Sequence, residues 1–186
     1  MFTFNTTNIN DVIIIETHQF NDERGLYNKI YEETIFAENG IKSKFTESSD
    51  IYSKKGVLRG LHYQNNYSQA KLIHVLKGVL FDVALDLRRE SITFGKFFAT
   101  KLIDKEHKSI YIPEGFAHGF ISLSDETIFS YMCSGKYDPS SCGGIIWNDK
   151  ELNIPWPLEE YEIEEIIATN KDKNWPTFSE YKKKVK

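Results

Sequence analysis

Alternating apolar and polar positions dominate this chain and predict β-strands. Between residues 80 and 87 the odd positions are apolar, whereas the even positions include two aspartates, which is the period of two of a strand with one apolar face. Other short segments are rich in β-branched or aromatic residues and are separated by glycines and other turn residues. The predicted strands are residues 12–16, 27–31, 71–76, 79–87, 97–102, 109–112, 120–123 and 127–133.

Helical signals are scarce. Residues 32–38 can form about two helical turns, and Asn39-Gly40 is a suitable left-handed stop for them. The acidic stretch 156–166 is compatible with a helix or with irregular structure. Many short strands without intervening helices are typical of a sandwich or barrel. We therefore predict an all-β, antiparallel fold with short flanking helices, in a single domain that spans residues 1–186.

Composition and charge narrow the class of protein. The chain is 40% hydrophobic and carries a formal charge of −4, so it gives no reason to expect binding to nucleic acid or to a membrane. No apolar run approaches the roughly 20 residues of a membrane span, and the start of the chain lacks the regions of a signal peptide. Two cysteines, Cys133 and Cys142, fit a reducing compartment better than a disulfide scaffold. We expect a cytoplasmic protein.

The segment Val57-Leu58-Arg59-Gly60-Leu61-His62-Tyr63-Gln64 carries the first candidate chemical groups. A histidine is the side chain best suited to act as a base near neutral pH. Strict alternation along a strand would place Arg59 and His62 on opposite faces. Because Gly60 lies between them, a bulge there would turn both toward one cavity. The sequence by itself leaves that point open.

Two basic side chains on the next strand have different expected roles. Lys71 opens an otherwise apolar strand, and it is either a solvated charge at the strand edge or a cation aimed at a carbonyl or phosphate oxygen. His74 is flanked by apolar residues, and we interpret it as a structural histidine of the core or the sheet edge.

Residues 113–120, Pro-Glu-Gly-Phe-Ala-His-Gly-Phe, have the Pro-x-Gly-x-x-His spacing of the second cupin motif. In metal-binding cupins this histidine joins a His-x-His pair and a glutamate. Here His62 is followed by Tyr63 and Gln64, and Lys71 stands near the position of the acidic ligand. An ammonium group has no lone pair for a metal and repels it, so we expect no metal.

These segments together resemble the sugar-nucleotide 3,5-epimerases that act on dTDP-4-keto-6-deoxyglucose. The resemblance covers most of the chain. The combination of many motifs in the same order identifies the family far more specifically than any single motif does. The matching residues are Phe20, Asp22, Arg24-Gly25, 56–64, Lys71-Leu72, 82–88, 113–120, Tyr131, Cys133, Tyr137, 147–149, 154–157 and Lys171-Asp172.

The resemblance implies a jelly-roll (cupin) barrel, a homodimer, no cofactor and a nucleoside-diphosphate sugar as substrate. It implies that His62 is the general base, that Asp172 is its carboxylate partner, and that Tyr131 is the acid on the opposite face of the sugar. It also implies that Lys71 is the cation near the C4 oxygen. Asp82 is then a possible partner of His118. The remaining substrate-binding positions that it implies are Arg24, Asn28, Glu47, Ser49, Arg59, Gln64, His118, Tyr137, Cys142 and Lys171.

Several positions depart from the family pattern. Asn28 and Cys142 replace glutamates, Glu47-Ser48-Ser49 replaces Gln-Asp-Asn, and Thr169 replaces a serine before Lys171-Asp172. The catalytic set is intact, so the departures bear on the nucleotide base and on the sugar. Three alternatives stay open: an epimerase that inverts one carbon or takes a CDP- or GDP-linked sugar, a metal-dependent cupin oxygenase or isomerase, and a non-catalytic sugar-nucleotide sensor.

Overall fold

The computed structural model describes residues 2–184 and is built mainly of two antiparallel β-sheets that face each other. The helices are α1 (Glu33–Glu38) and α2 (Phe178–Lys184). The strands are β1 (Phe2–Thr6), β2 (Ile13–Thr17), β3 (Phe20–Asp22), β4 (Gly25–Tyr27), β5 (Phe45–Ser53), β6 (Leu58–Gln64), β7 (Lys71–Lys77), β8 (Val79–Asp86), β9 (Phe97–Ile103), β10 (Lys108–Ile112), β11 (Phe116–Ser122), β12 (Thr127–Ser134) and β13 (Cys142–Gly144).

The strand order is that of a jelly roll. One sheet has six strands in the order β1-β2-β10-β7-β12-β5, and the other has five in the order β13-β6-β11-β8-β9. Strands that follow each other in the chain are thus often placed in different sheets, and the apolar faces of the two sheets meet in a common core. Ile73 and Phe129 enter this core from the six-stranded sheet, and Ala84 and Phe120 enter it from the five-stranded sheet. The predicted all-β jelly-roll fold is confirmed.

Strand β8 is buried on both faces, whereas its pattern predicted one apolar face. Leu80 and Ala84 point into the core between the sheets. Phe81 and Val83 point outward and pack against the C-terminal segment, residues 145–184, which covers the outer face of the five-stranded sheet. Asp82 on the inward face is fully buried as well. A cover that comes from a distant part of the chain cannot be read from the local pattern.

Other predicted elements differ in detail from the structure. Helix α1 confirms the predicted helix, and Gly40 after it has a φ of +89°, as the predicted left-handed stop requires. The strand predicted at residues 27–31 is wrong, because only Gly25–Tyr27 pairs, in a separate hairpin with β3. Residues 156–166 form irregular turns. Within residues 2–184, no helix is long and apolar enough to cross a membrane.

Strand β5 was not predicted, because its sequence Phe-Thr-Glu-Ser-Ser-Asp-Ile-Tyr-Ser is mostly polar. It lies at the edge of the six-stranded sheet and pairs only with β12. An edge strand with few buried side chains carries a weak apolar signal, so its backbone hydrogen bonds rather than its hydrophobicity define it.

His74 lies inside the six-stranded sheet as the structural histidine that the sequence predicted. Asn28 Nδ2 donates to its Nε2 at 3.3 Å, and its Nδ1 is hydrogen-bonded to Ser109 Oγ at 3.0 Å. Burial, with a smaller contribution from His107, lowers the pKa of His74 to about 4. The imidazole is therefore neutral at physiological pH.

This shift predicts a loss of stability in mild acid. An unfolded histidine titrates near pH 6.5, so between about pH 6.5 and about pH 4 the unfolded chain binds a proton that the folded chain does not. The contribution of His74 to the free energy of unfolding should fall by about 3 kcal/mol across this window and then level off. Urea unfolding at pH 7 and pH 4.5 should show a smaller loss in His74→Gln than in wild type. The exposed His18→Gln is the control, and an equal loss in wild type and His74→Gln would contradict this.

Candidate active site

A cavity of about 740 Å³ opens between the two sheets, a volume within the usual range for small-molecule sites. Strands β5, β7 and β12 form one wall, and β6, β13 and residues 167–175 form the other. The lining residues are Glu47, Val57, Leu58, Arg59, His62, Tyr63, Gln64, Gln69, Lys71, Tyr131, Cys133, Tyr137, Cys142, Gly143, Ile167, Ala168, Thr169, Lys171, Asp172 and Trp175.

A β-bulge at Gly60 places Arg59 and His62 in the same cavity. In the pairing with β11, His118 lies opposite His62 and Phe120 lies opposite Arg59, so β6 has one more residue than its partner at this point. Gly60 has a φ of +112°, and a Cβ there would lie 2.5 Å from the Cα of Gly119. Only glycine fits such a bulge. The bulge that the sequence left open is therefore present.

His62 and Asp172 form a hydrogen-bonded pair, with 2.5 Å between Nε2 and Oδ1. Thr169 Oγ1 donates to Asp172 Oδ2 at 2.6 Å, and Trp175 Nε1 donates to Oδ1 at 3.3 Å. Burial opposes ionisation of Asp172, but the hydrogen bonds from His62 and Thr169 outweigh it and hold the pKa well below its usual range. The ionised carboxylate fixes the proton of His62 on Nε2, so Nδ1 is the nitrogen that can accept a proton.

Tyr131 and Lys71 lie on the opposite wall from His62. Lys71 pairs with Cys133, two residues from Tyr131, so the three side chains share one face of the six-stranded sheet. Burial raises the pKa of Tyr131 well above its ordinary value, which keeps the phenol protonated and able to donate. Burial lowers the pKa of Lys71. The Lys71 ammonium donates to the backbone oxygen of Gln69 at 3.3 Å.

A second histidine–carboxylate pair lies beneath Tyr131. His118 Nε2 is 2.8 Å from Asp82 Oδ2, and both side chains are buried. The His118 ring stacks on the Tyr131 ring, with 5.8 Å between the centroids. The pairing of His118 with Asp82 is thus present, and it supports the Tyr131 ring from the core side.

The structure brings most of the predicted site residues together in the cavity. These are Glu47, Arg59, His62, Gln64, Lys71, Tyr131, Tyr137, Cys142, Lys171 and Asp172.

Four predicted residues do not line the cavity of this chain. Arg24 is 84% exposed on the β3–β4 hairpin, where it pairs with Asp22. Asn28 contacts His74. Ser49 is exposed on β5, opposite Tyr131 in the register, and His118 lies behind Tyr131.

Sequence reasoning missed Trp175, Gln69 and Cys133 as lining residues. Trp175 follows Asp172 by three positions and contacts its carboxylate, and Gln69 precedes Lys71 by two. The positions of Trp175 and Gln69 point to the cavity only once Asp172 and Lys71 have been placed there.

Within residues 2–184, no group of three or more His, Cys, Asp and Glu side chains is close enough to hold a metal ion. The polar groups of the cavity instead suit proton transfer: a base paired with a carboxylate, a protonated phenol across from it, and a cation beside the phenol. The jelly-roll barrel and the polar groups of this cavity suit a cupin-type enzyme that works by acid–base proton transfer.

Comparison with known proteins specifies the family. The sequence profile described as dTDP-4-dehydrorhamnose 3,5-epimerase matches residues 6–180. This chain belongs to the dTDP-4-dehydrorhamnose 3,5-epimerase family.

Similar proteins support the same assignment. The dTDP-4-dehydrorhamnose 3,5-epimerase of Methanothermobacter thermautotrophicus is 43% identical over 96% of this chain and 96% of its own length. The crystal structure of the Elizabethkingia anophelis enzyme of the same name has 40% identity and a TM-score of 0.89, covering 96% of this chain and 97% of its own. The Legionella pneumophila dTDP-6-deoxy-D-glucose-3,5-epimerase, in complex with dTDP-4-keto-L-rhamnose, has 37% identity and a TM-score of 0.91, covering 96% and 94%.

Proposed function

We propose that the protein inverts C3 and C5 of dTDP-4-dehydro-6-deoxy-D-glucose and so forms dTDP-4-dehydro-L-rhamnose. The observation that carries this proposal is the placement of His62–Asp172 and Tyr131 on opposite walls of one cavity, with Lys71 beside Tyr131. Inversion of a carbon next to a ketone needs a base on one face, an acid on the other and a stabiliser for the enolate oxygen.

In the proposed mechanism, Nδ1 of His62 removes the proton from C3 or C5, and the electron pair of the C–H bond moves to the C4 oxygen. The Lys71 ammonium stabilises the negative charge that develops there. Tyr131 then donates its proton to the same carbon from the other face, and the carbonyl group re-forms. Each inversion leaves His62 protonated and Tyr131 as a phenolate. Before the second centre reacts, His62 must release its proton to solvent and Tyr131 must take one up from solvent.

The rest of the cavity suits the nucleotide. Arg59 and Lys171 bring two cations to the wall that carries His62, and the guanidinium and ammonium groups are common ligands of a diphosphate. Tyr137 is an exposed ring at the rim and is available to stack on a base. Glu47, Gln64 and Cys142 line the same cavity, and we assign them to binding of the nucleoside and the sugar.

We also propose that the protein is a homodimer and works in the cytoplasm. The β3–β4 hairpin exposes Phe20, Leu26 and Tyr27, an apolar surface that a second copy of the chain would cover. Because Arg24 on this hairpin lies outside the cavity of its own chain, it can act as a substrate ligand only in the cavity of a partner subunit. The two free cysteines fit a reducing compartment.

Product analysis tests the proposed function. Purified protein is incubated in ordinary water with dTDP-, CDP- and GDP-linked 4-keto-6-deoxyglucose, and the stereochemistry of each product is read by NMR. We expect turnover of the dTDP substrate with both centres inverted, at a higher kcat/KM than for the CDP and GDP substrates. A product inverted at one carbon, or a preference for another nucleotide, would replace the proposal by the corresponding alternative.

Chelation should not affect activity. The one histidine of the cavity is already paired with Asp172, the Lys71 ammonium lies on the facing wall, and no three His, Cys, Asp or Glu side chains of residues 2–184 come together, so the cavity holds a divalent cation poorly. We expect the same rate before and after treatment with EDTA and no stoichiometric metal by elemental analysis. A loss of activity that one added metal restores would contradict the proton-transfer mechanism given above.

A further inference from the structure

Gln69 has a buried side-chain amide without a partner. The residue is 7% exposed and precedes β7, where it lines the cavity beside Lys71. Its Nε2 is buried and has no hydrogen-bond partner among residues 2–184. Buried polar groups in folded proteins are nearly always hydrogen-bonded, so an unpartnered amide in a cavity wall is an uncommon arrangement.

The orientation of the Gln69 amide decides which end of the side chain carries the N–H groups. The nitrogen and oxygen of a glutamine are exchanged by a simple flip of the side chain. In the structure, Nε2 is the buried atom without a partner, whereas Oε1 is not among the buried unpartnered atoms, so a flip places the N–H groups at the position that Oε1 now occupies. The main chain of the same residue does have a role, because its oxygen accepts the hydrogen bond from the Lys71 ammonium at 3.3 Å. Gln69 and Lys71 are therefore held against each other at the cavity wall.

We propose that the Gln69 amide is a second donor to the C4 oxygen of the substrate and shares this oxygen with Lys71. The proposal rests on the proposed function, in which the C4 oxygen gains negative charge as the enolate forms. Donors that are positioned before the reaction stabilise such a charge more in a water-poor site than in water. An amide keeps its N–H groups at every pH, whereas burial makes the Lys71 ammonium easier to deprotonate.

Two substitutions test the role of Gln69. Gln69→Leu keeps much of the shape and removes the donor, and Gln69→Glu keeps the shape and places an acceptor beside the developing charge. We expect kcat to fall about 10- to 100-fold in Gln69→Leu and further in Gln69→Glu, since loss of one such donor typically costs this much or more. KM and the affinity for dTDP, which lacks the sugar, should change by less than about threefold if the donor acts mainly on the enolate. The exposed Gln19→Leu is the matched control and should match wild type.

Thermal stability separates a contact with substrate from a packing role. Removing an unpartnered buried amide should leave the melting temperature of Gln69→Leu equal to or above that of wild type. If Gln69→Leu does not fold, Gln69→Glu decides the question by the same readouts. A kcat within twofold of wild type, or a fall in kcat that comes with a lower melting temperature and weaker dTDP binding, would overturn the role of Gln69. Absence of turnover in the wild type would instead refute the proposed function, and this inference with it.

Discussion

His62→Asn is expected to abolish hydrogen exchange at both C3 and C5 while the affinity for dTDP stays close to that of wild type. His62 is the histidine that lines the cavity, and its pairing with Asp172 leaves Nδ1 free to take a proton. Asparagine can still hydrogen-bond to Asp172 but is not basic. Because a positioned base contributes roughly a hundredfold or more, both exchange rates should fall by at least about that factor. Exchange is measured by NMR in deuterated water, and dTDP affinity by calorimetry.

The control for His62→Asn is His74→Gln, which changes a buried histidine outside the cavity. It should retain exchange at neutral pH. A His62→Asn variant that keeps more than about a hundredth of wild-type exchange would show that another group is the base. Loss at one carbon alone would assign a different base to each centre.

Tyr131→Phe is expected to separate exchange from inversion. His62 can still remove a proton in this variant and return it to the face that it left, which regenerates the substrate. Only a donor on the far face gives the inverted centre, and the buried phenol of Tyr131 is placed there with a raised pKa. Formation of inverted product should fall by about 100-fold or more, whereas label should still enter the recovered substrate. Phenylalanine keeps the ring that stacks on His118, so the fold should be little changed.

The control is Tyr137→Phe, which removes a phenol at the rim of the same cavity. It should change exchange and inversion in the same proportion, and mainly through KM. If Tyr131→Phe lowers exchange and inversion equally, the far-face acid is another group, and Tyr131 only positions the sugar.

The fold was predictable from local patterns where a strand has a clear apolar signal. The edge strand β5 lacked that signal because most of its side chains are exposed, and it is defined by pairing with β12. The buried outer face of β8 depends on a cover from residues 145–184, which no local pattern contains. Short-range rules therefore identified the core strands and missed what distant segments add to them.

Single residues of the site were predictable from the sequence, but their partners across the cavity were not. His62 and Lys71 stood out as polar groups on otherwise apolar strands, but Asp172 is 110 positions from His62, and only the family resemblance linked the two. Gly60 indicated a bulge. The structure shows why glycine is needed there, because the residue has a positive φ and lies too close to Gly119 for a side chain. Gln69 gave no signal, because a glutamine before a strand is ordinary and its missing partner is visible only in three dimensions.

Deuterium incorporation tests the central claim most directly. Wild-type protein is incubated with dTDP-4-dehydro-6-deoxy-D-glucose in deuterated water, and the product is analysed by NMR and mass spectrometry. Proton removal by His62 and delivery by solvent-equilibrated Tyr131 predict one deuterium at C3 and one at C5, each at an inverted centre. An inverted product without deuterium, or a protein that binds the substrate and exchanges neither position, would contradict the account.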